Sequence, residues 1–375
     1  MTAPLWSLGL AEAAAAYRTG EATPAQVLHA TLERHAAVNG RINAFAHLAR
    51  ETAMAQAAES TRRWASGAPL GPLDGAIVTV KDNIPVAGMP CSWGSGLYRG
   101  FIPTEEEPAV ARLRAAGALL LGKTTCSEFA TGRTNIDTPL FGTTRNPWNT
   151  ALSPGASSGG SAAALPAGIG MARIGTDGGG SIRRPASHCG VLGLKPSVGR
   201  VPRDNSLPDI LNGYEVLGPL ARSVADLRLL YHVIAGPDLR DPRSWPFMDA
   251  ENGAAMPGTR RRVLHVGRIS GQPVDGPVAA SFGPTGARLA DIGCTVTAGE
   301  LPLDMDLFMR HWPTIGESGL AQVVPEDRLP ELSPHLQAMA RRGAQRTGAD
   351  YAAALAAFAP LGRQMGRVFE AFDIV

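Results

Sequence analysis

Lysine is scarce in this chain. Of its 35 basic residues only Lys81, Lys123 and Lys195 are lysines, and the rest are arginines. A bias of this kind reflects genome composition, yet it singles out each lysine that survives. Arginine cannot release its proton inside a protein, whereas a buried lysine can. A position that needs a neutral amine therefore cannot drift to arginine. An excess of one charge sign is also lacking: 35 basic residues meet 33 acidic ones, for a formal net charge of +2. That balance argues against an electrostatic binder of nucleic acid or of a membrane surface. Long hydrophobic runs are missing. The stretch Ser161–Met171 is too short and too rich in glycine, alanine and proline to span a bilayer. Met1–Leu10 has no basic segment and soon meets Glu12, which argues against a secretory leader. The four cysteines, Cys91, Cys126, Cys189 and Cys294, show no C-x-x-C, no zinc spacing and no disulfide-scaffold density. A reducing, cytoplasmic setting fits them.

What is present supports a folded chain. Hydrophobic residues make up 44% of 375 and charged residues 18%, enough for a sizeable core. Length alone suggests two domains or one large α/β domain. The first 70 residues read as helices, over Leu8–Tyr17, from an N-cap at Thr23 with Pro24 at the first helical position to about Ala37, and over Ala49–Ala65. Ala76–Val80 reads as a buried strand that delivers Lys81 at its end. Further strands are expected at Ala118–Leu121, Met171–Gly175, Val191–Leu194, Arg262–Arg268 and Cys294–Thr297. Helices are expected at Glu106–Ala116, Ser157–Ala167, Arg222–Ile234 and Pro277–Leu289, and from Leu332 onward. Phe372–Val375 reads as a strand beginning. Strands alternating with helices point to an α/β protein with a largely parallel sheet.

The chemistry concentrates between Gly155 and Ser181. Gly155-Ala156-Ser157-Ser158-Gly159-Gly160-Ser161 sets three serines among small residues, and Thr176-Asp177-Gly178-Gly179-Gly180-Ser181 sets another behind three glycines. Consecutive glycines let backbone N–H groups converge on one point, where a phosphate or an oxyanion can sit. A phosphate loop would need G-x-x-x-x-G-K-[ST], and a dinucleotide fingerprint would need G-x-G-x-x-G; neither is complete here. Gly155–Gly159 matches the G-x-S-x-G nucleophile elbow, but no strand precedes it and no suitable histidine follows.

These motifs, taken together, resemble the amidase signature family. The resemblance rests on Ser153–Ser161, Gly175–Arg183, Pro185-Ala186, Cys189–Pro196 and Val80-Lys81-Asp82-Asn83, with support at Leu121–Thr124, Glu128–Ala130, Phe141-Gly142 and Asn146–Trp148. It implies an α/β amidase signature fold: a large, mixed, mostly parallel central sheet covered by helices on both faces. It implies one domain over residues 1–375, with an N-terminal helical segment (1–70), core motifs (71–200) and a variable substrate-side region (201–375) shortened at its C-terminus. The implied activity is hydrolysis of a carboxamide. Ser181 would be the nucleophile, Ser157 the bridging serine after a cis peptide, and Lys81 the base. Amides of Gly178, Gly179, Gly180 and Ser181 would form the oxyanion hole, and Thr131 would face the substrate. Ser158, Asp177 and Arg183 would support the loop, the last two through a buried ion pair.

Neither metal nor cofactor is implied. The family usually has glycine before the bridging serine, where this chain has Ala156. Lys123 and Lys195 read as structural, His188 as a core residue and Cys189 as part of a buried strand. Trp93, Leu207–Tyr214 and Leu307–Glu317 are candidate pocket walls. A small amide is the expected ligand, with no nucleic acid and no membrane; a homodimer stays open. Two other readings stand beside the hydrolase. One is an amidotransferase A-type subunit working with tRNA-bound partners, although its Ser-Ser-Leu-Asp-Gln-like stretch is missing after Arg200. The other is a non-catalytic or truncated binding protein built on the fold.

Overall fold

The computed structural model describes residues 3–131, 135–204, 207–248, 260–269 and 271–375. Its strands are β1 (Phe45–Leu48), β2 (Ile77–Lys81), β3 (Leu119–Thr124), β4 (Asp137–Thr138), β5 (Gly142–Thr143), β6 (Ala172–Asp177), β7 (Leu192–Gly193), β8 (Val216–Ala221), β9 (Arg262–Val266) and β10 (Thr295–Gly299). Its α-helices are α1 (Leu10–Thr19), α2 (Pro24–Ile42), α3 (Arg50–Ala65), α4 (Pro108–Ala115), α5 (Gly159–Ala164), α6 (Arg183–Cys189), α7 (Val224–Ile234), α8 (Gly276–Ala280), α9 (Phe282–Asp291), α10 (Met305–Val323), α11 (Pro334–Ala344) and α12 (Gly348–Ala371). None of the described helices is long and apolar enough to cross a membrane.

The chain forms two compact units. One comprises Met1–Asn252 with Val323–Ala340, the other Gly253–Gln322 with Arg341–Val375. The first holds a six-stranded mixed sheet in the order β1-β3-β2-β6-β8-β7. β2 pairs in parallel with β3 and β6, while β1 and β8 run against their neighbours. β7 pairs antiparallel with β8, so four of the six strands share one direction. The central strands β2, β3 and β6 are buried at every position, which explains the aliphatic runs that open β2 and β3. Helices flank the sheet and close the core around Ile77, Val78, Leu120, Ile174 and Leu217. Glu128 accepts hydrogen bonds from Ser95 Oγ (2.8 Å) and from Ser333 N and Oγ (3.1 and 2.6 Å), tying the Val323–Ala340 segment into this unit.

Local chemistry explains most element ends. Thr23 caps α2 by accepting from Gln26 N, and the Gln26 side chain returns the bond to Thr23 N. α2 runs past Asn39-Gly40 to Ile42 and stops where Asn43 turns left-handed (φ 50°). The Pro277–Leu289 expectation divides at Ser281 into α8 and α9, and α5 is shorter than Ser157–Ala167. β1 and β8 were not legible as strands. Phe45–Leu48 has no β-branched residue, and Val216–Ala221 contains Gly218 and Pro219. A side chain at Gly218 would run into the Leu194 carbonyl, so the strand needs its glycine there.

In the second unit β9 and β10 pair in parallel. Glu317 accepts from Arg342 Nε (2.6 Å) and Arg346 Nη2 (2.8 Å). Ile374 makes a single parallel bridge to Val263, all that is formed of the strand expected at Phe372–Val375.

Candidate active site

Two neighbouring parallel strands deliver the site at their C-terminal ends. β2 ends on Lys81, and β6 ends on Thr176 and Asp177. Lys81 is wholly buried, with Nζ 2.6 Å from Ser157 Oγ, 2.6 Å from Thr176 Oγ1 and 3.4 Å from Thr176 O. Burial pushes its amine below the ordinary lysine value, against the pull of Glu215 and Asp177. Burial of this kind is what lets a lysine amine give up its proton more readily than it would in water.

The three serines of the small-residue loop face three ways. Ser157 follows a cis peptide from Ala156 and meets Lys81. Ser158 donates its backbone N–H to Ser181 O (3.1 Å) and its hydroxyl to Thr176 O (3.2 Å). Ser161 pairs with Thr124 Oγ1 at 2.6 Å, fixing the loop to β3. Ser158 thus links the Ser157 loop to the strand carrying Lys81's other partner and to Ser181. The Ser181 hydroxyl has no hydrogen bond among the described residues, although the residue is only 6% exposed.

Asp177 shapes the glycine turn between them. Its carboxylate accepts from Gly180 N (2.7 Å), Ile182 N (3.1 Å), Arg183 N (3.3 Å) and the Arg183 guanidinium (2.9 Å to each oxygen). Burial alone would raise this carboxyl; the Arg183 fork and the turn amides outweigh it and hold it at about 2. The expected set of open amides narrows as a result. The Gly180 N–H is spent on Asp177, while among the described residues those of Gly178, Gly179 and Ser181 carry no protein hydrogen bond. Gly180 has φ 103°, which only glycine adopts readily. A Cβ on Gly178 would come within 2.5 Å of Leu211 Cδ1, so the expected wall segment Leu207–Tyr214 does lie against this turn.

Other expected residues fall in varied places. Thr131 is half-buried, donates N–H to Glu128 O (3.3 Å), and follows two left-handed residues, Phe129 and Ala130. Trp93 is buried, its ring 5.0 Å from Phe129. Lys123 is buried and donates to Ile84 O, and Lys195 donates to Pro196 O at 3.3 Å. Leu307–Glu317 lies on α10. Three expectations need correction. His188 is exposed on the last turn of α6 rather than in the core. Cys189 is buried but helical, because Gly190 ends α6 one residue later. The Asp177–Arg183 pair is buried only on its acid side, the arginine side chain being 54% exposed.

Sequence reasoning gave no role to Asn83, Thr176, Arg203 or Glu215, which surround Lys81. The first two lie inside the recognised motifs, so their position was the available signal. Among the described residues no cluster of three or more histidine, cysteine, aspartate or glutamate side chains could hold a metal.

A family model described as Amidase matches residues 26–375. The chain belongs to the Amidase family. It is 43% identical over 254 residues to the A-type subunit of a glutamyl-tRNA(Gln) amidotransferase from Chloroflexus aggregans, covering 68% of this chain and 52% of that relative. The chain therefore spans about half the length of the curated relatives it matches. A crystal structure of an amidase superposes with a TM-score of 0.82 at 34% identity, covering 96% of this chain and 79% of the other. A bacterial aryl acylamidase of the amidase signature family gives a TM-score of 0.87 at 26% identity, covering 99% and 79%. The amidase signature fold is thus shared with solved Amidase-family enzymes.

Proposed function

We propose that the chain cleaves a carboxamide C–N bond through an acyl-enzyme on Ser181. The 2.6 Å contact between the buried Lys81 amine and Ser157 carries this reading. In it, Ser181 Oγ attacks the carbonyl carbon while its proton passes to Ser157 and the Ser157 proton passes to Lys81. The open amides of the glycine turn receive the carbonyl oxygen as it becomes negative. The proton returns along the relay to the nitrogen, the C–N bond breaks, and ammonia or an amine leaves. Water then attacks the ester, gives a proton to the same relay, and frees the acid and Ser181.

Labelling with a fluorophosphonate, mapped by mass spectrometry, tests this. Label on Ser181 that vanishes in Lys81→Ala supports it. A folded chain that takes no label overturns it and favours a non-catalytic binding protein.

The 43% identity to the A-type subunit of a glutamyl-tRNA(Gln) amidotransferase favours a second reading, in which the released ammonia is passed to an aminoacyl-tRNA with partner subunits. We prefer the free-standing hydrolase because the stretch after Arg200 lacks the Ser-Ser-Leu-Asp-Gln-like run. Ammonia release from simple amides by the chain alone supports the hydrolase; release from glutamine only, and only with partner subunits, supports the alternative. A small amide as substrate and a cytoplasmic setting belong to the same proposal.

A further inference from the structure

Glu215 and Arg203 take no part in the proton relay, yet both lie almost buried beside it. Glu215 directly precedes β8, whose Val216 pairs with Asp177 on β6. The antiparallel register thus brings Glu215 to the edge of the sheet where Thr176 and Lys81 end. Its Oε2 accepts from Arg203 Nη1 at 2.9 Å, and its Oε1 accepts from Asn83 Nδ2 at 3.3 Å. Asn83 in turn holds Thr176, with Nδ2 3.0 Å from Oγ1 and Oδ1 3.4 Å from the same oxygen. Arg203 is itself anchored: its backbone N–H donates to Asp241 Oδ2 at 3.1 Å, and Nη2 lies 3.5 Å from Glu107 Oε1.

Thr176 is the residue that decides where the Lys81 amine points. Its carbonyl can only accept, so one N–H of Lys81 goes there, and its Oγ1 takes a second contact. The remaining direction of the amine faces Ser157. In the neutral amine that direction holds the lone pair. A Thr176 side chain free to turn would leave this geometry unset.

We propose that Glu215, clamped by Arg203, is a positioning residue that acts through Asn83 and Thr176 to hold the Lys81 amine toward Ser157. This rests on the amide-cleaving reading of the site. The pair also balances charge. Lys81 is faced by the carboxylates of Glu215 and Asp177, the guanidinium of Arg203 and the buried thiol of Cys126, with Asp82, Cys91 and Lys123 behind that thiol. Asp177 is matched by Arg183, and Glu215 by Arg203. Removing one member of the second pair leaves the charge of the other acting on Lys81.

The test reads the rate of fluorophosphonate labelling of Ser181 from roughly pH 5 to 10, the range over which a lowered lysine titrates. Glu215→Gln removes the carboxylate that pulls Lys81 toward its protonated form and leaves the Arg203 guanidinium, so the rise in rate with pH should move down by about one unit, with a plateau about tenfold lower. Arg203→Met leaves the carboxylate unmatched and should move the rise upward by a similar amount. The double variant should return it toward the parent. A folded Glu215→Gln protein whose rise does not move overturns the proposal, even if it labels more slowly, because a purely structural role lowers the rate without shifting it. If Glu215→Gln does not fold, Asn83→Ala is read instead. It cuts the link and leaves the Arg203–Glu215 pair: a plateau within about twofold of the parent overturns the proposal, and a loss of about tenfold supports it. A parent chain that never labels Ser181 overturns the amide-cleaving reading itself, and the positioning role falls with it.

Discussion

Replacing Asp177 by asparagine asks how much of the active-site turn rests on one charge. The carboxylate takes five hydrogen bonds, three from backbone N–H groups and two from Arg183. Asparagine keeps one acceptor oxygen and turns an N–H₂ group toward donors. A folded-state value of about 2 against the ordinary 3.8 is a shift of nearly two units, worth about 2 kcal/mol at neutral pH. The mispaired amide adds about 1 kcal/mol. Asp177→Asn should therefore lose about 2–3 kcal/mol in urea unfolding at neutral pH. The sign of the pH dependence follows from the lowered carboxyl. Its contribution is complete above the unfolded value near 3.8 and is lost as pH falls through about 2. The gap between parent and variant should accordingly stay constant down to about pH 5 and narrow below about pH 4. Labelling of Ser181 should fall as well, since the turn carries Ser181. A gap under about 0.5 kcal/mol, or one that does not change in acid, would refute the claim that this charge holds the turn.

Two further outcomes are expected. Lys81→Arg should reduce labelling of Ser181 by roughly a thousandfold or more, because a guanidinium cannot become the neutral base; near-parental labelling would dismiss Lys81 from the relay. Arg173, wholly buried on β6, donates among the described residues only to Ala172 O at 3.0 Å, with Nε and Nη2 unpartnered there, and burial pushes its guanidinium below the ordinary value. Arg173→Met should raise stability by about 1–3 kcal/mol in the same urea assay, and a loss instead would mean that something unseen pairs with the arginine.

The strands that carry the site were the legible part of the fold. Ile77–Val80 and Leu119–Leu121 are runs dominated by aliphatic residues because parallel central strands are buried on both faces, and such runs announce themselves. β8 did not, since its Gly218 and Pro219 answer to the close approach of Leu194, a contact far away in the chain. His188 was misplaced for a similar reason. Its neighbours Pro185, Ala186 and Cys189 are buried, and only the helical turn of α6 shows that position 188 points outward. Ser157 and Lys81 could be paired from their motifs, whereas Arg203–Glu215 could not. The β6–β8 register brings Glu215 beside Thr176, and Arg203 meets it from the connection before β8; no short motif encodes either placement.

The scarcity of lysine acquires a structural sense around Lys81. The acids near it, Asp177 and Glu215, are each matched by an arginine, Arg183 and Arg203. An arginine partner keeps its charge at any pH the protein meets, while Glu215 and Asp177 still pull Lys81 toward its protonated form. Burial outweighs that pull, helped by the Arg203 guanidinium, and favours the neutral form. Were the largely buried Arg203 a lysine, it could lose its own proton and release the Glu215 carboxylate toward Lys81. The cations that pair with these two acids are thus arginines, which hold their charge, while Lys81 is the amine that burial drives toward its neutral form.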